Sequence, residues 1–249
     1  GRAVFGITGI KDIRAILKLY NDRGVPVRFT WTNSLLEEKH IYDTYCNLIM
    51  KEADNGMNQV LVNRPVLEEY IRRQYPGFKL ISSTTKRITG LDGLLEELNK
   101  DYFLVVLDYD LNHNEEVLSA IGKQADKVEI LVNEVCYPGC PKRSEHYRQQ
   151  SQMQLEYDID AAFPCPNKTR ERKFEECKER PSFISREQIR EYADRGFVNF
   201  KIVGRGMPMD FVKESYLYYL VKDDSRAFIR NKMESTLNQF AQAMKKRKA

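Results

Sequence analysis

The chain reads as an α/β protein, specifically a (β/α) barrel of the TIM type that is open or lacks its first unit. Three observations predict this. Short β-branched and aromatic runs alternate with longer amphipathic ones, the rhythm of a mostly parallel sheet covered by helices. The strand-like runs are apolar throughout, as strands buried on both faces are. Six of them, with a seventh at 3–7, approach the eight strands of a closed barrel. An open doubly wound sheet is the second reading.

Residues 11–22 have helical spacing and stop at Arg23-Gly24, a helix C-terminus followed by a short loop. The strand 27–31 (VRFTW) follows, and further strands fall at 59–62, 79–82, 102–107 (YFLVVL), 128–132 (VEILV) and 197–203. Between them, 37–53, 65–74, 91–99 and 114–124 carry apolar residues three and four apart, with Gly56 and Gly77 near helix ends. Residues 185–195 open with a capping-type Ser and stop at Gly196. The tail 223–248 reads as one long helix, and its basic run 245–248 as the frayed end of that helix rather than a binding patch. Residues 137–181 show no period and read as an irregular insertion. The whole is expected to be a single barrel domain carrying that insertion and the C-terminal helix.

With 249 residues the chain can bury a large core, and 42% hydrophobic content excludes a wholly disordered protein. No run reaches the roughly 18 apolar residues of a membrane span. The charged start (Arg2, Lys11, Asp12, Arg14) shows no signal peptide, so a cytoplasmic location is expected. A net charge of +4 is too small to argue for nucleic acid by itself. Five cysteines, an odd number, argue against a disulfide framework and toward free thiols or metal ligands.

In such barrels the chemistry sits where strands end and βα loops begin. Those positions are polar here: Thr30, Thr32 and Asn33; Asn63 and Arg64; Ser82, Ser83, Thr84 and Thr85; Asp108, Asp110, Asn112 and His113; Asn133 and Glu134; Lys201 and Arg205. Many would serve as helix caps or turn residues. Asp108, Asn133, Glu134, Lys201 and Arg205 are not all needed for that. Converging on one mouth, they would bind a small polar or anionic ligand, or else form a satisfied polar network closing the barrel top. Alternation along 197–203 puts Phe197, Asn199, Lys201 and Val203 on one face, into the barrel, and Val198, Phe200 and Ile202 on the other. A lysine there needs a carboxylate, and Glu134 and Asp108 are nearest by strand order.

Cys136 and Cys140 lie in a tight NEVCYPGCP turn directly after a strand, with Cys165 in FPCP and Cys177 in EECK. Four thiols in one irregular stretch suggest a tetrathiolate site, for which structural zinc and an iron-sulfur cluster both qualify. The eleven-residue gap between Cys165 and Cys177 favours iron-sulfur slightly. Unconnected thiols are the alternative. Cys46 reads as an ordinary buried helix thiol, His146 as a reserve ligand or polar site residue, and His40 as a helix surface residue.

Phe200-Lys201-Ile202-Val203-Gly204-Arg205, then Met209-Asp210-Phe211-Val212 and the helix Tyr216-Leu217-Tyr218-Tyr219, resemble the "strand, K-I-E-G-R, then P-E-Y-V and helix" signature of the collagenase-like peptidase family U-32. Val203 stands where that signature has Glu, and Met-Asp-Phe where it has Pro-Glu-Tyr. The run 128–133 leading into Cys136 and Cys140 is similar to the family's strand and cysteine-bearing loop. The resemblance implies a (β/α) barrel with a four-iron, four-sulfur (4Fe-4S) cluster held by Cys136, Cys140, Cys165 and Cys177, with zinc as the alternative metal. It carries over Lys201 and Arg205 as site residues; with Glu134 and Asp108 from the strand ends these are the catalytic candidates, and Asn133, Asn63, Asn33 and His146 are the candidates for substrate contact. The expected partners are a small polar or aromatic substrate, with RNA and a paired homologous subunit also admitted.

Three functions are therefore in view. The first is a cluster-dependent enzyme performing oxygen-independent hydroxylation of an aromatic or nucleobase substrate. The second is a peptidase or other hydrolase, although neither G-x-S-x-G nor H-E-x-x-H occurs; an Asp108–His113 acid-base pair is its weak support. The third is a binding or scaffold protein with a structural metal.

Overall fold

The computed structural model describes residues 8–158, 163–165, 173–204 and 206–248, with side chains as far as Ala243. The strand expected at 3–7 lies outside the described residues. Six short strands, β1 (Arg28–Trp31), β2 (Gln59–Val62), β3 (Lys79–Ser82), β4 (Leu104–Val106), β5 (Val128–Leu131) and β6 (Asn199–Lys201), make one sheet in chain order. Every adjacent pair is parallel. The order never reverses, so the doubly wound alternative is excluded. The sheet curls into a half-barrel. Its helices are α1 (Ile10–Asn21), α2 (Thr44–Ala53), α3 (Pro65–Gln74), α4 (Leu91–Leu98), α5 (Glu115–Ile121), α6 (Arg143–Glu156), α7 (Phe174–Lys178), α8 (Arg186–Asp194), α9 (Met209–Leu220) and α10 (Arg226–Lys248).

The helices form for local reasons. Pro65 opens α3, where its missing N–H costs nothing. Asn114 caps α5, and Ser185 with Gln188 makes a reciprocal capping box on α8. Because side chains alternate along a strand, the sheet has two apolar faces. Val60, Val62, Leu80, Val105, Leu107, Val128, Ile130 and Val132 point outward and pack on the helices in the main core. Leu61, Ile81, Leu104, Val106 and Leu131, with Val203, fill the concave side. As expected, Phe200 and Ile202 join the outer core, while Val203 faces in. Phe197 differs from expectation: it precedes β6 and is buried in the outer core.

The concave side also holds a charge layer. Arg28 of β1 donates from Nη1 to Glu129 Oε1 of β5 at 2.5 Å and from Nε to Gln59 Oε1 of β2 at 2.8 Å. Lys201 Nζ of β6 lies 3.6 Å from Glu129 Oε2. Lys201 therefore does need a carboxylate, but its partner is Glu129 at the start of β5, not Glu134 or Asp108. Glu129 is 4% exposed.

A second charged cluster pins the outer layer. Lys86 Nζ reaches Glu68 Oε1 (2.7 Å), Glu97 Oε1 (2.8 Å) and the Tyr102 hydroxyl (2.7 Å). Ser82 Oγ and Lys100 Nζ also donate to Glu97. Burial pushes the Glu97 carboxyl up, but its hydrogen bonds from Lys100, Lys86 and Ser82 outweigh that and hold it at about 2.

The supposedly irregular 137–181 contains α6 and the short α7. α6 was invisible to an apolar count because its inward stripe is made of polar residues. Arg143, Tyr147, Gln150, Ser151 and Gln154 fall at i, i+4, i+7, i+8 and i+11. Asn33 Nδ2 donates to Ser151 O (2.8 Å) and to Gln154 Oε1 (3.1 Å), and Ser34 N donates to Ser151 Oγ (3.1 Å). The helix thus reaches from the loop after β5 to the loop after β1.

Two outcomes follow from these clusters. Arg28→Met strands Glu129 beside Lys201 alone and is expected to lower unfolding free energy by about 2–3 kcal/mol in urea titrations, the lower end for a part-exposed cation. Adding Glu129→Met is expected to recover most of that loss. Because the folded Glu97 carboxyl is depressed, its contribution is present above the ordinary glutamate value of 4.5 and is lost as pH falls toward about 2. Glu97→Gln is therefore expected to flatten the acid limb of the stability profile across that window.

Candidate functional site at the strand C-termini

β4 ends in Asp108, whose Oδ1 accepts from Asp110 N at 3.0 Å and so starts the 3-10 turn Tyr109–Leu111. Arg87, after the turn that follows β3, sits in the left-handed region at φ 60. It donates to Asp108 Oδ2 (2.7 Å) and Asp110 Oδ2 (3.2 Å). From the other side Arg143, at the start of α6, donates to Asp108 Oδ1 (3.1 Å), Asp110 Oδ1 (2.7 Å) and Tyr137 O (2.7 Å). Its guanidinium lies 3.8 Å over the Tyr109 ring, and Gly139 N also donates to Asp110 Oδ1. Two arginines thus neutralise two aspartates while fastening the loop 136–143 to the ends of β3 and β4.

The aspartates differ in acidity. For Asp108, burial outweighs its two arginines and raises the carboxyl above its usual range. For Asp110, burial is weaker than the Gly139 N–H and Arg143, and the carboxyl is lowered.

Beside this quartet, Glu134 at the end of β5 accepts from its own loop, Val135 N (2.9 Å) and Cys136 N (3.1 Å), through Oε1. Tyr109 lies close enough to both Cys136 and Tyr147 to influence their acidity. Both phenols are held well above the ordinary tyrosine value, first by burial and then by nearby charge that includes Glu134. Burial, with Glu134 adding to it, raises the Cys136 thiol and pushes the Cys177 thiol up to about 12. One carboxylate therefore acts on two phenols and two thiols, all of which stay protonated at neutral pH.

No family model matches this chain. It is 27% identical over 184 residues to an uncharacterized protease, MJ1657, of Methanocaldococcus jannaschii. The match covers 71% of this chain and 54% of that protein, so the chain spans about half its relative's length. A solved structure, that of the U32 peptidase Mk0906, superposes with a TM-score of 0.54 at 20% identity, covering 83% of this chain and 81% of that one. The chain shares the fold of that U32 peptidase structure. The two matches bear out the resemblance to peptidase family U-32 read from the sequence.

Within that U32 fold the expected site residues separate. Asp108 and Glu134 are at the mouth, as expected. Asn133 is not a ligand group: its Nδ2 donates to Val203 O (3.0 Å) and Ser215 Oγ (3.2 Å), its Oδ1 accepts from Val203 N (2.6 Å), and it is fully buried. It fastens the end of β5 to β6 and α9. Asn63 donates to Thr85 Oγ1 (2.9 Å), tying the β2 and β3 loops, and Asn33 is taken by α6. Lys201 belongs to the charge layer at the opposite end of the concave face. His146 stacks on Phe163, centroids 4.5 Å apart, and meets Gln150 Nε2 at 2.9 Å. His113 turns away from Asp108, to Phe183 O (3.0 Å) and the Tyr192 hydroxyl (3.2 Å). Arg205 lies outside the described residues. Arg87, Tyr109, Arg143 and Tyr147 were not anticipated; the polar i, i+4 stripe of α6 is the signal that would have found two of them.

The thiols do not fit the implied cluster as they are placed. Cys177 is on α7, 2% exposed among Phe174 and Phe211, and its Sγ donates to Glu134 O at 3.6 Å. Cys136 and Cys140 are close enough to interact, while Cys165 is half-buried in its own short segment. Among the described residues, no three His, Cys, Asp or Glu side chains are grouped to hold a metal ion. No helix among them is long and apolar enough to cross a membrane.

Arg143→Met removes the cation shared by two carboxylates, one of them buried. It is expected to cost about 3–5 kcal/mol of stability and to expose the loop 136–143 to proteolysis, whereas Lys142→Met next to it is expected to change neither.

Proposed function

We propose that the chain acts as a peptidase-type hydrolase of the U32 kind, with its reacting centre at the mouth between Glu134, Tyr109 and Tyr147. The observation that carries this reading is the position of Glu134, a carboxylate at the end of β5 whose charge bears on the buried Tyr109 phenol and the half-buried Tyr147 phenol. The protease name of the M. jannaschii relative and the peptidase name of the superposed structure support it at the level of reaction class.

In this reading Glu134 takes a proton from a water that attacks the scissile carbonyl. The oxyanion that forms accepts a hydrogen bond from the Tyr147 hydroxyl, which the raised phenol value keeps protonated across the working range. The proton on Glu134 then passes to the departing amine, and the carboxylate is restored. Tyr109, buried beside Tyr147, positions it. Arg143 and Arg87 absorb the charge of Asp108 and Asp110, so that Glu134 is the carboxylate left for chemistry.

The test is hydrolysis of quenched fluorescent peptides by the purified chain. Glu134→Gln is expected to lower kcat about 10²–10⁴-fold, and Tyr147→Phe about 10²–10³-fold, with KM and the circular dichroism spectrum little changed. Undiminished turnover by Glu134→Gln would reject the assignment.

A further inference from the structure

The last two helices carry an apolar surface that the site does not use. α9 and α10 enclose an open groove of about 390 Å³, lined on one side by Met209, Val212 and Tyr216 and on the other by Ile229, Met233 and Leu237. Two cations beside the groove pair within the chain, Lys213 Nζ with Glu234 Oε1 at 2.8 Å and Arg230 with Glu214 at 2.6 Å, and Lys232 and Thr236 add a polar margin to the lining. These pairs clamp α9 to α10 and hold the groove open with its apolar side chains presented. Met209 is 60% exposed, and Phe240, further along the same stripe of α10, is 65% exposed. At about 1.5 Å per residue, α10 with 23 residues runs well past α9 with 12.

We propose that this groove is filled by α10 of a second copy of the chain, running antiparallel about a twofold axis level with residue 235. The sequence of α10 is self-complementary in that register. Met233 then faces Leu237 of the other copy, and Ile229 faces Ala241 with Phe240 beside it. The helix is preceded by Asp223 and Asp224 and ends in Lys245-Lys246-Arg247-Lys248. Asp223 is already held by Arg186 and Arg226 of its own chain, and the same axis places Asp224 level with Lys246 of the other copy. A parallel pair would set Asp against Asp and Lys against Lys, so charge selects the antiparallel arrangement. Each copy offers both halves of the interface, and the contact closes on itself as a dimer. A foreign helix would have to supply both the stripe and the end charges, which this chain already carries.

The experiment is sedimentation velocity of the full chain over a range of concentrations at low and high salt. A reversible dimer, weakened by salt, is expected. Leu237→Glu is expected to give monomer with an unchanged circular dichroism spectrum. Lys246→Glu with Arg247→Glu is expected to raise the dimer dissociation constant about 10-fold at low salt, and adding Asp224→Lys to restore most of it. That rescue holds the test open even if Leu237→Glu fails to fold. A chain monomeric to concentrations on the order of 100 μM, whether or not it sediments with anionic phospholipid vesicles, overturns the proposal. So does a dimer indifferent to Leu237→Glu, or a charge reversal that Asp224→Lys does not rescue.

Discussion

A carboxylate buried on the concave face of a parallel sheet has to be neutralised from within that face, and Glu129 is neutralised from both ends of the sheet. Arg28 comes from the first strand and Lys201 from the sixth. A flat sheet would hold β1 and β5 four strand spacings apart, roughly 19 Å, beyond the reach of an arginine. The 2.5 Å contact is therefore possible only because the sheet curls, and the curl in turn encloses Leu61, Ile81, Leu104, Val106 and Leu131. Removing two ions from water is costly, so this layer sets geometry more than it adds net stability.

The opposite end of the same strands is organised by a different charge balance. Arg87 and Arg143 cancel Asp108 and Asp110, and the loop after β5 is stitched to the end of β4 through Arg143 and Gly139. Arg87 accepts a left-handed backbone, a cost of roughly 1–2 kcal/mol for a residue with a Cβ, in order to reach both carboxylates. With those two aspartates satisfied, Glu134 is set apart among tyrosines and thiols whose protons it helps to retain. The two ends thus differ, the strand starts holding the barrel shape and the strand ends gathering the aspartates, Glu134 and the phenols.

α6 spans the strand-end side of the sheet. It leaves the loop after β5 with Arg143 in the aspartate quartet, brings Tyr147 to Tyr109, and finishes against the loop after β1 through Ser151 and Gln154. It is a helix without an apolar stripe, held by hydrogen bonds to two loops that lie apart in sequence. Cys177 lies close by on α7, buried in the aromatic cluster of Phe174 and Phe211 and bonded to the backbone of Glu134. The thiol thus helps to support the loop that carries Glu134.

Much of the barrel was legible in the residues because it depends on short-range patterns. Val60, Leu80, Val105 and Ile130 are apolar in runs, Pro65 and Ser185 mark helix starts, and the alternation along β6 correctly turned Phe200 outward and Val203 inward. The mouth was legible only as a set of polar strand ends, which is why Asp108 and Glu134 were found together with Asn33, Asn63 and Asn133, whose amides are consumed in joining loops. Which polar group is satisfied by which partner depends on contacts tens of residues apart in sequence: Asn133 meets Val203 and Ser215, and Arg143 meets Asp108. The sequence by itself determined the parallel α/β order, the two faces of each strand and the resemblance to the U32 peptidases, since these follow from side-chain period and local motif. Only the tertiary structure decided that Lys201 answers to Glu129, that α6 exists, and that Cys177 is buried on α7 among Phe174 and Phe211, because burial and charge pairing across the curled sheet are set by distances that no local pattern carries.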